Sequence, residues 1–215
     1  MQLHSQPHSM SGTPRWAPGG ERLAFDSNMD GTLRIYLTRA GGGKPVPLTV
    51  GPAAAIPSWS ADGNWVYFTR LGSHPQIWKA PAGGGEALQV TRHGGFVAFE
   101  SRDGKSLYYT KHDETDVGPL WKMPASGGEE ALVFPSVFGR NFAVVNGGLY
   151  FIELDAKQAS IRFLAFATGK VRTIAPIPSY EYGEGMCVSP DERSILLSRL
   201  DTMSSGLMLV ENFLP

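Results

Sequence analysis

Five histidines, His4, His8, His74, His93 and His112, stand among carboxylates scattered through a chain of 215 residues. Neutral imidazoles and carboxylates are the usual ligands of zinc and related ions, and a catalytic site keeps one position open for water. A metal held that way lowers the pKa of its bound water toward ~7, giving a hydroxide that attacks esters or phosphotriesters. His8, His93, Glu181 and Glu184 are the first candidates as ligands, with His4 and His112 behind them, and the ion would be zinc or calcium. Glu100 and Arg140 are the candidate catalytic groups, Glu100 as a further carboxylate and Arg140 as a donor to developing negative charge. The same residues also read as ordinary polar loops, because loop-borne ligands in repeats leave no specific spacing. Asp113-Glu114-Thr115-Asp116 could attract calcium but lacks the glycine and distal glutamate of an EF-hand loop. No Gly-x-Ser-x-Gly elbow occurs, which argues against a serine nucleophile.

These residues need elements to position them, and a repeat supplies those. Small-residue turns recur at Gly41-Gly42-Gly43-Lys44, Gly83-Gly84-Gly85-Glu86, Ser126-Gly127-Gly128-Glu129 and Ala167-Thr168-Gly169-Lys170, in steps of 42, 43 and 41. A second marker runs beside it, starting at Trp16, Trp59, Glu100, Val144 and Val188, in steps of 43, 41, 44 and 44. Between the markers lie short β-branched and aromatic runs, with Gly-Gly or Asp-Gly at the tight hairpins. A period near 40 residues with four strands, A to D, is a propeller blade. The sequence therefore predicts an all-β, five-bladed β-propeller of four-stranded antiparallel blades, one domain over residues 1–215. The blades are expected near 13–50, 51–92, 93–134, 135–176, and 177–213 plus 1–3.

Blade five stops after strand C, so Met1-Gln2-Leu3 is expected to serve as its outer strand and close the ring. The rival reading is the tail of a larger propeller; the open edge of blade five then offers a route to a homo-oligomer. In this topology the D-to-A and B-to-C loops share one face, and all five histidines project onto it. The opposite face carries A–B and C–D turns, mostly too short to build a pocket. A small molecule or a peptide is therefore expected at the channel mouth on the loop face, where Tyr180, Tyr182 and Phe96 could form a rim.

Composition narrows the partners. Lys and Arg number 19 against 20 Asp and Glu, so no electrostatic footprint for nucleic acid exists. Apolar runs are too short for a membrane-spanning helix, and no charged start with an apolar stretch suggests a secretory signal. The single cysteine, Cys187, excludes an intrachain disulfide framework and is expected to be a small buried hydrophobe in a strand.

The segment Thr13-Pro14-Arg15-Trp16-Ala17-Pro18-Gly19-Gly20-Glu21-Arg22-Leu23-Ala24-Phe25-Asp26-Ser27 resembles the TolB-type, WD-like propeller repeat. Gln76-Ile77-Trp78-Lys79-Ala80-Pro81 and Leu120-Trp121-Lys122-Met123-Pro124 are similar to C-terminal repeats of large bacterial proteins that carry a winged helix or a kinase domain ahead of the propeller. The repeat pattern is Trp-Ser-Pro-Asp-Gly; Gly19, Glu100 and Asn146-Gly147-Gly148 depart from it. No winged-helix or kinase motif lies in these residues. The resemblance implies a bacterial protein, an interaction platform and, often, a periplasmic setting. Two functions thus stand side by side: a non-catalytic binding propeller, and a metal-dependent hydrolase built on the loop face.

Overall fold

The computed structural model describes residues 9–111, 117–154, 159–177, 182–201 and 204–211. Every regular element in them is a β-strand. The first sheet is β1 (Ser11–Trp16), β2 (Arg22–Ser27), β3 (Arg34–Arg39) and β4 (Val46–Pro47), in that order. The second is β5 (Ala54–Trp59), β6 (Trp65–Arg70), β7 (Gln76–Pro81) and β8 (Leu88–Gln89). The third holds β9 (Ala98–Glu100), β10 (Ser106–Thr110), β11 (Val117–Pro124) and β12 (Ala131–Phe138). The fourth holds β13 (Phe142–Val145), β14 (Gly148–Leu154), β15 (Ala159–Ala165) and β16 (Val171–Ile177). Four antiparallel blades of four strands are thus present, as the repeat requires. The fifth sheet has three strands, β17 (Tyr182–Val188), β18 (Ser194–Asp201) and β19 (Ser204–Glu211). Met1–Leu3, expected to supply its outer strand, lies outside the described residues.

The chain divides into two compact units, Met1–Lys111 with Met123–Glu129, and His112–Lys122 with Glu130–Pro215. The first buries Ala24, Ile35, Trp59, Val66 and Phe68 in one apolar cluster. The second buries Tyr150, Ile152, Ile161, Met186, Ile195 and Leu197 in another. Strand side chains alternate between faces, so a blade presents apolar residues on both sides and buries them against its neighbours. Alternation also corrects one expectation: Met186 is buried, so its successor Cys187 points the other way and is exposed.

The A–B turns show why the repeat marker has its sequence. In blades two, three and five a serine hydroxyl (Ser60, Ser101, Ser189) donates to the aspartate two residues on (Asp62, Asp103, Asp191), each at 2.6 Å. The same hydroxyl accepts the backbone N–H of Trp65, Ser106 or Ser194 at 2.9 Å, fastening the start of strand B. Gly63 and Gly104 follow at φ 70°, and Glu192 occupies the same left-handed place at 58°. Blade one, with Ala17 and Gly19, keeps the turn by backbone alone, through Gly20 N–H to the Ala17 carbonyl at 2.8 Å.

Strand D is shorter than the sequence suggests in the first unit, two residues each in β4 and β8. The reason is a side-chain substitution for the ladder. The Thr49 hydroxyl accepts the Ile35 N–H at 3.0 Å, and the Thr91 hydroxyl accepts the Ile77 N–H at 2.9 Å. Pro47 further removes an N–H from the β4 edge.

The serine hydroxyls, with the amides of Asn64, Lys105 and Arg193, hold the three turn aspartates below their ordinary carboxylate range. A lowered folded-state pKa gives stability that is complete above the unfolded value of about 3.9 and is lost as pH falls through the lower folded values. Melting temperatures measured from pH 7 to acid should fall more steeply in the wild type than in a D62N/D103N/D191N variant. Identical acid limbs in the two proteins would contradict this account.

Candidate functional site

In blades one, two and five strand A carries a bulge at the same place, whereas β9 and β13 pair without one. The register breaks between Gly12 and Arg15, between Ala55 and Ser58, and between Tyr182 and Met186. Inside each break one residue takes a left-handed backbone: Thr13 at φ 43°, Ile56 at 58° and Gly185 at 134°. For a β-branched residue such as Ile56 that conformation costs about 1–2 kcal/mol, so something must hold it. The holder is an acceptor on the blade before. Asp26 accepts the Ile56 N–H at 2.9 Å, and Asn141 accepts the Gly185 N–H at 3.0 Å. Thr69, which stands in β6 where Asp26 stands in β2, donates its hydroxyl to the Phe96 carbonyl. Asp26 also receives the Thr13 hydroxyl, and a Cβ on Gly12 opposite it would come within 2.9 Å of Oδ1, forcing the carboxylate to shift. This buried aspartate is thus bound up in joining blades.

Glu100 proves to be a joint of another kind. The register places Trp16, Trp59 and Glu100 alike, each the last residue of its strand A, paired with Leu23, Val66 and Leu107. Trp59 is 8% exposed; its indole N–H donates to the Arg15 carbonyl at 2.9 Å, and Arg22 lies over its ring at 4.9 Å. Trp16 at the same place is 56% exposed. Glu100 instead accepts the Tyr67 hydroxyl at 2.7 Å and the Ala61 N–H at 3.4 Å. Tyr67 occupies the place that Ala24 holds in blade one. A large residue beside a small one (Trp59 with Ala24) is exchanged for a compact acceptor beside a large donor (Glu100 with Tyr67). Burial, then the bond to Glu100, pushes the Tyr67 phenol well above its ordinary range.

His93 is exposed in the loop between β8 and β9, whereas Glu100 ends β9 beside the A–B turn. The two stand at opposite ends of the same inner strand. Arg140, half-buried, lies in the turn between β12 and β13 of the second unit. His4, His8, His112 and Glu181 lie outside the described residues, as do Asp113–Asp116, Tyr180 and the side chains of Tyr182 and Glu184. Among the described residues no three His, Cys, Asp or Glu side chains gather as a metal would need.

The turn face, expected to offer little room, holds a groove of about 530 Å³ in the first unit. Its walls come from β3, β4 and the two C–D turns, including Gly42, Gly43, Gly83 and Gly84. A Cβ on any of these four would meet nothing within 4 Å, so the missing side chains are what leaves the space open.

The family model described as the TolB beta propeller domain matches residues 2–141. Among solved structures, TolB from Acinetobacter baumannii superposes with a TM-score of 0.77 at 18% identity, over 94% of this chain and 52% of that one. The present chain thus spans about half the length of that protein. A structure of the nidogen/laminin complex gives a TM-score of 0.74 at 12% identity, over 96% and 78%. An oligogalacturonate lyase in complex with manganese gives 0.63 at 12%, over 96% and 77%. At these identities the likeness is one of fold.

Removing either joint leaves a polar group with no partner inside the protein, at a cost of about 1–3 kcal/mol. Asp26→Ala and Glu100→Ala should each lower unfolding free energy in urea by that amount. Glu100→Trp should be poorly tolerated beside Tyr67, and pairing it with Tyr67→Ala should recover stability beyond the sum of the single changes. Strict additivity in that cycle would show that the two residues are not a matched pair.

Proposed function

The chain belongs to the TolB β-propeller family, and from that premise we propose that it is a binding module without chemistry of its own. Its blades form a scaffold, and the D-to-A and B-to-C loops of the first unit present a peptide segment or a small ligand with its docking face. The observation that carries this reading is Glu100. It is the one carboxylate that breaks the repeat where tryptophan belongs, and Tyr67 and Ala61 engage both of its oxygens. A carboxylate so engaged is a poor base or ligand, because either use would break a packed joint. Asp26 is committed as well, its Oδ2 accepting both the Ile56 N–H and the Thr13 hydroxyl. Loops on such a rigid frame remain free to vary, which suits recognition.

The metal-dependent hydrolase is the competing reading, and a manganese-bound lyase among the structural neighbours keeps the propeller a fitting frame for an ion. It would draw on His93 with His4, His8, His112, Glu181 and Glu184, and zinc or calcium would be the ion. One set of measurements separates the two. Elemental analysis of the purified chain, with ester and phosphotriester assays with and without chelator, should show neither bound metal nor turnover. Stoichiometric metal with chelator-sensitive turnover, both lost in His93→Ala at unchanged melting temperature, would establish the hydrolase instead. For the binding reading, a photo-reactive residue at position 93 should yield a discrete adduct in cells, and uniform background labelling there would count against the loop face.

A further inference from the structure

The groove on the turn face differs from the rest of the repeat in charge. Arg22, Arg39 and Lys44 line it, and no carboxylate does. The next repeats have other residues at the same places. Arg22 and Arg39 are a cross-strand pair in blade one, and blade two pairs Trp65 with Pro81 there. Lys44 follows its glycine turn where blades two and three carry Glu86 and Glu129, while blade four carries Lys170. The turn itself does not need a cation, since blades two and three form it with Glu86 and Glu129.

Arg22 has a structural task as well, donating to the Ala82 and Gly63 carbonyls at 3.0 and 3.1 Å while stacked on Trp59. Arg39 and Lys44 have none: both are exposed, and neither makes an ion pair or a side-chain hydrogen bond among the described residues. Beside them the wall is apolar. Val46, 63% exposed, stands with Leu37 and Leu48 on that side. The β4 edge cannot simply accept another strand. Leu48 donates its N–H inward to the Ile35 carbonyl at 2.7 Å, so the outward ladder position falls on Pro47, which has no N–H. Recognition here must go through side chains. A volume of this size holds a few residues of chain or one small molecule.

We propose that this groove binds an acidic segment of a protein partner, its carboxylates on Arg39 and Lys44 and an apolar side chain over Val46 and Leu48. Charge complementarity chooses the occupant: two unengaged cations beside an apolar wall match alternating acidic and apolar residues, and repel basic ones. The site is separate from the loop face, so it stands or falls independently of the reading above.

The probe is a dye-labelled hexapeptide alternating glutamate and leucine, titrated against the full chain by fluorescence anisotropy. Saturable binding is expected, weakening as salt rises, with no saturation by a lysine–leucine counterpart. R39E/K44E should weaken binding at least about tenfold without changing the melting temperature, because both side chains are exposed. Gly83→Trp should abolish it by filling the groove; that glycine has an ordinary backbone and open space above it. Glutarate should compete only weakly. Equal binding of both peptides, indifference to R39E/K44E and to Gly83→Trp, or glutarate binding as tightly as the peptide would each overturn the proposal.

Discussion

A propeller blade cannot be stable by itself, because both faces of its sheet are apolar and each needs a neighbour. The joint between blades is therefore the constraint on which everything else in this chain rests. At the inner strands of blades two and five that joint takes a specific form, in which a bulge turns one backbone amide out of its own ladder and aims it at the preceding blade. An amide so turned must find an acceptor, or its burial costs more than the packing returns. Asp26 and Asn141 are those acceptors for Ile56 and Gly185. Between blades two and three, where β9 pairs without a bulge, Thr69 instead donates its hydroxyl hydrogen bond to the Phe96 carbonyl. Three different side chains, carboxylate, amide and hydroxyl, thus tie one blade to the next.

Reading polar residues in a repeat protein therefore requires asking first what the joints consume. Glu100 reads as an available carboxylate because glutamate is a residue of acid–base and metal chemistry. Like the buried Asp26, it is engaged at a joint between blades. Glu100 is instructive because its departure from the repeat is matched by a second departure, Tyr67 where blade one has Ala24. Paired departures keep a joint intact; they are packing solutions written in polar atoms.

The period of the turns made the blades legible, since glycine and Asp-Gly are forced by hairpin geometry. The Trp-Ser-Pro-Asp-Gly turn was legible for the same reason, including its departure at Gly19, although the serine-to-aspartate bond inside it was not. Less could be read where one residue's role depends on a partner distant in the chain. Nothing in Ile56 announces a left-handed backbone, because the acceptor that holds it is thirty residues earlier. Cys187 was misplaced because a strand's phase, not its composition, decides which residues face inward, and Met186 took that side. The groove was invisible for another reason. It is made by side chains that are absent, at Gly42, Gly43, Gly83 and Gly84, and sequence patterns report what is present. The histidine-bearing loops follow no repeat rule at all, so position on a face was the most that the sequence could say of them.

These observations give a criterion for where function can sit on such a frame. A departure from the repeat that is answered by a neighbour, as Glu100 is by Tyr67, is explained by folding and needs no ligand. A departure left unanswered needs another cause. Arg39 and Lys44 are of the second kind: they stand where the adjoining blade two carries Pro81 and Glu86, and no acidic side chain in the groove meets them. Each is long, flexible and exposed, so neither contributes much to stability. Their charge is directed outward, across an apolar wall whose strand edge Pro47 has closed to further backbone pairing. A surface built that way is adapted to side chains of opposite charge arriving from solvent. It is the repeat itself, by showing what the turn requires, that makes those two cations informative.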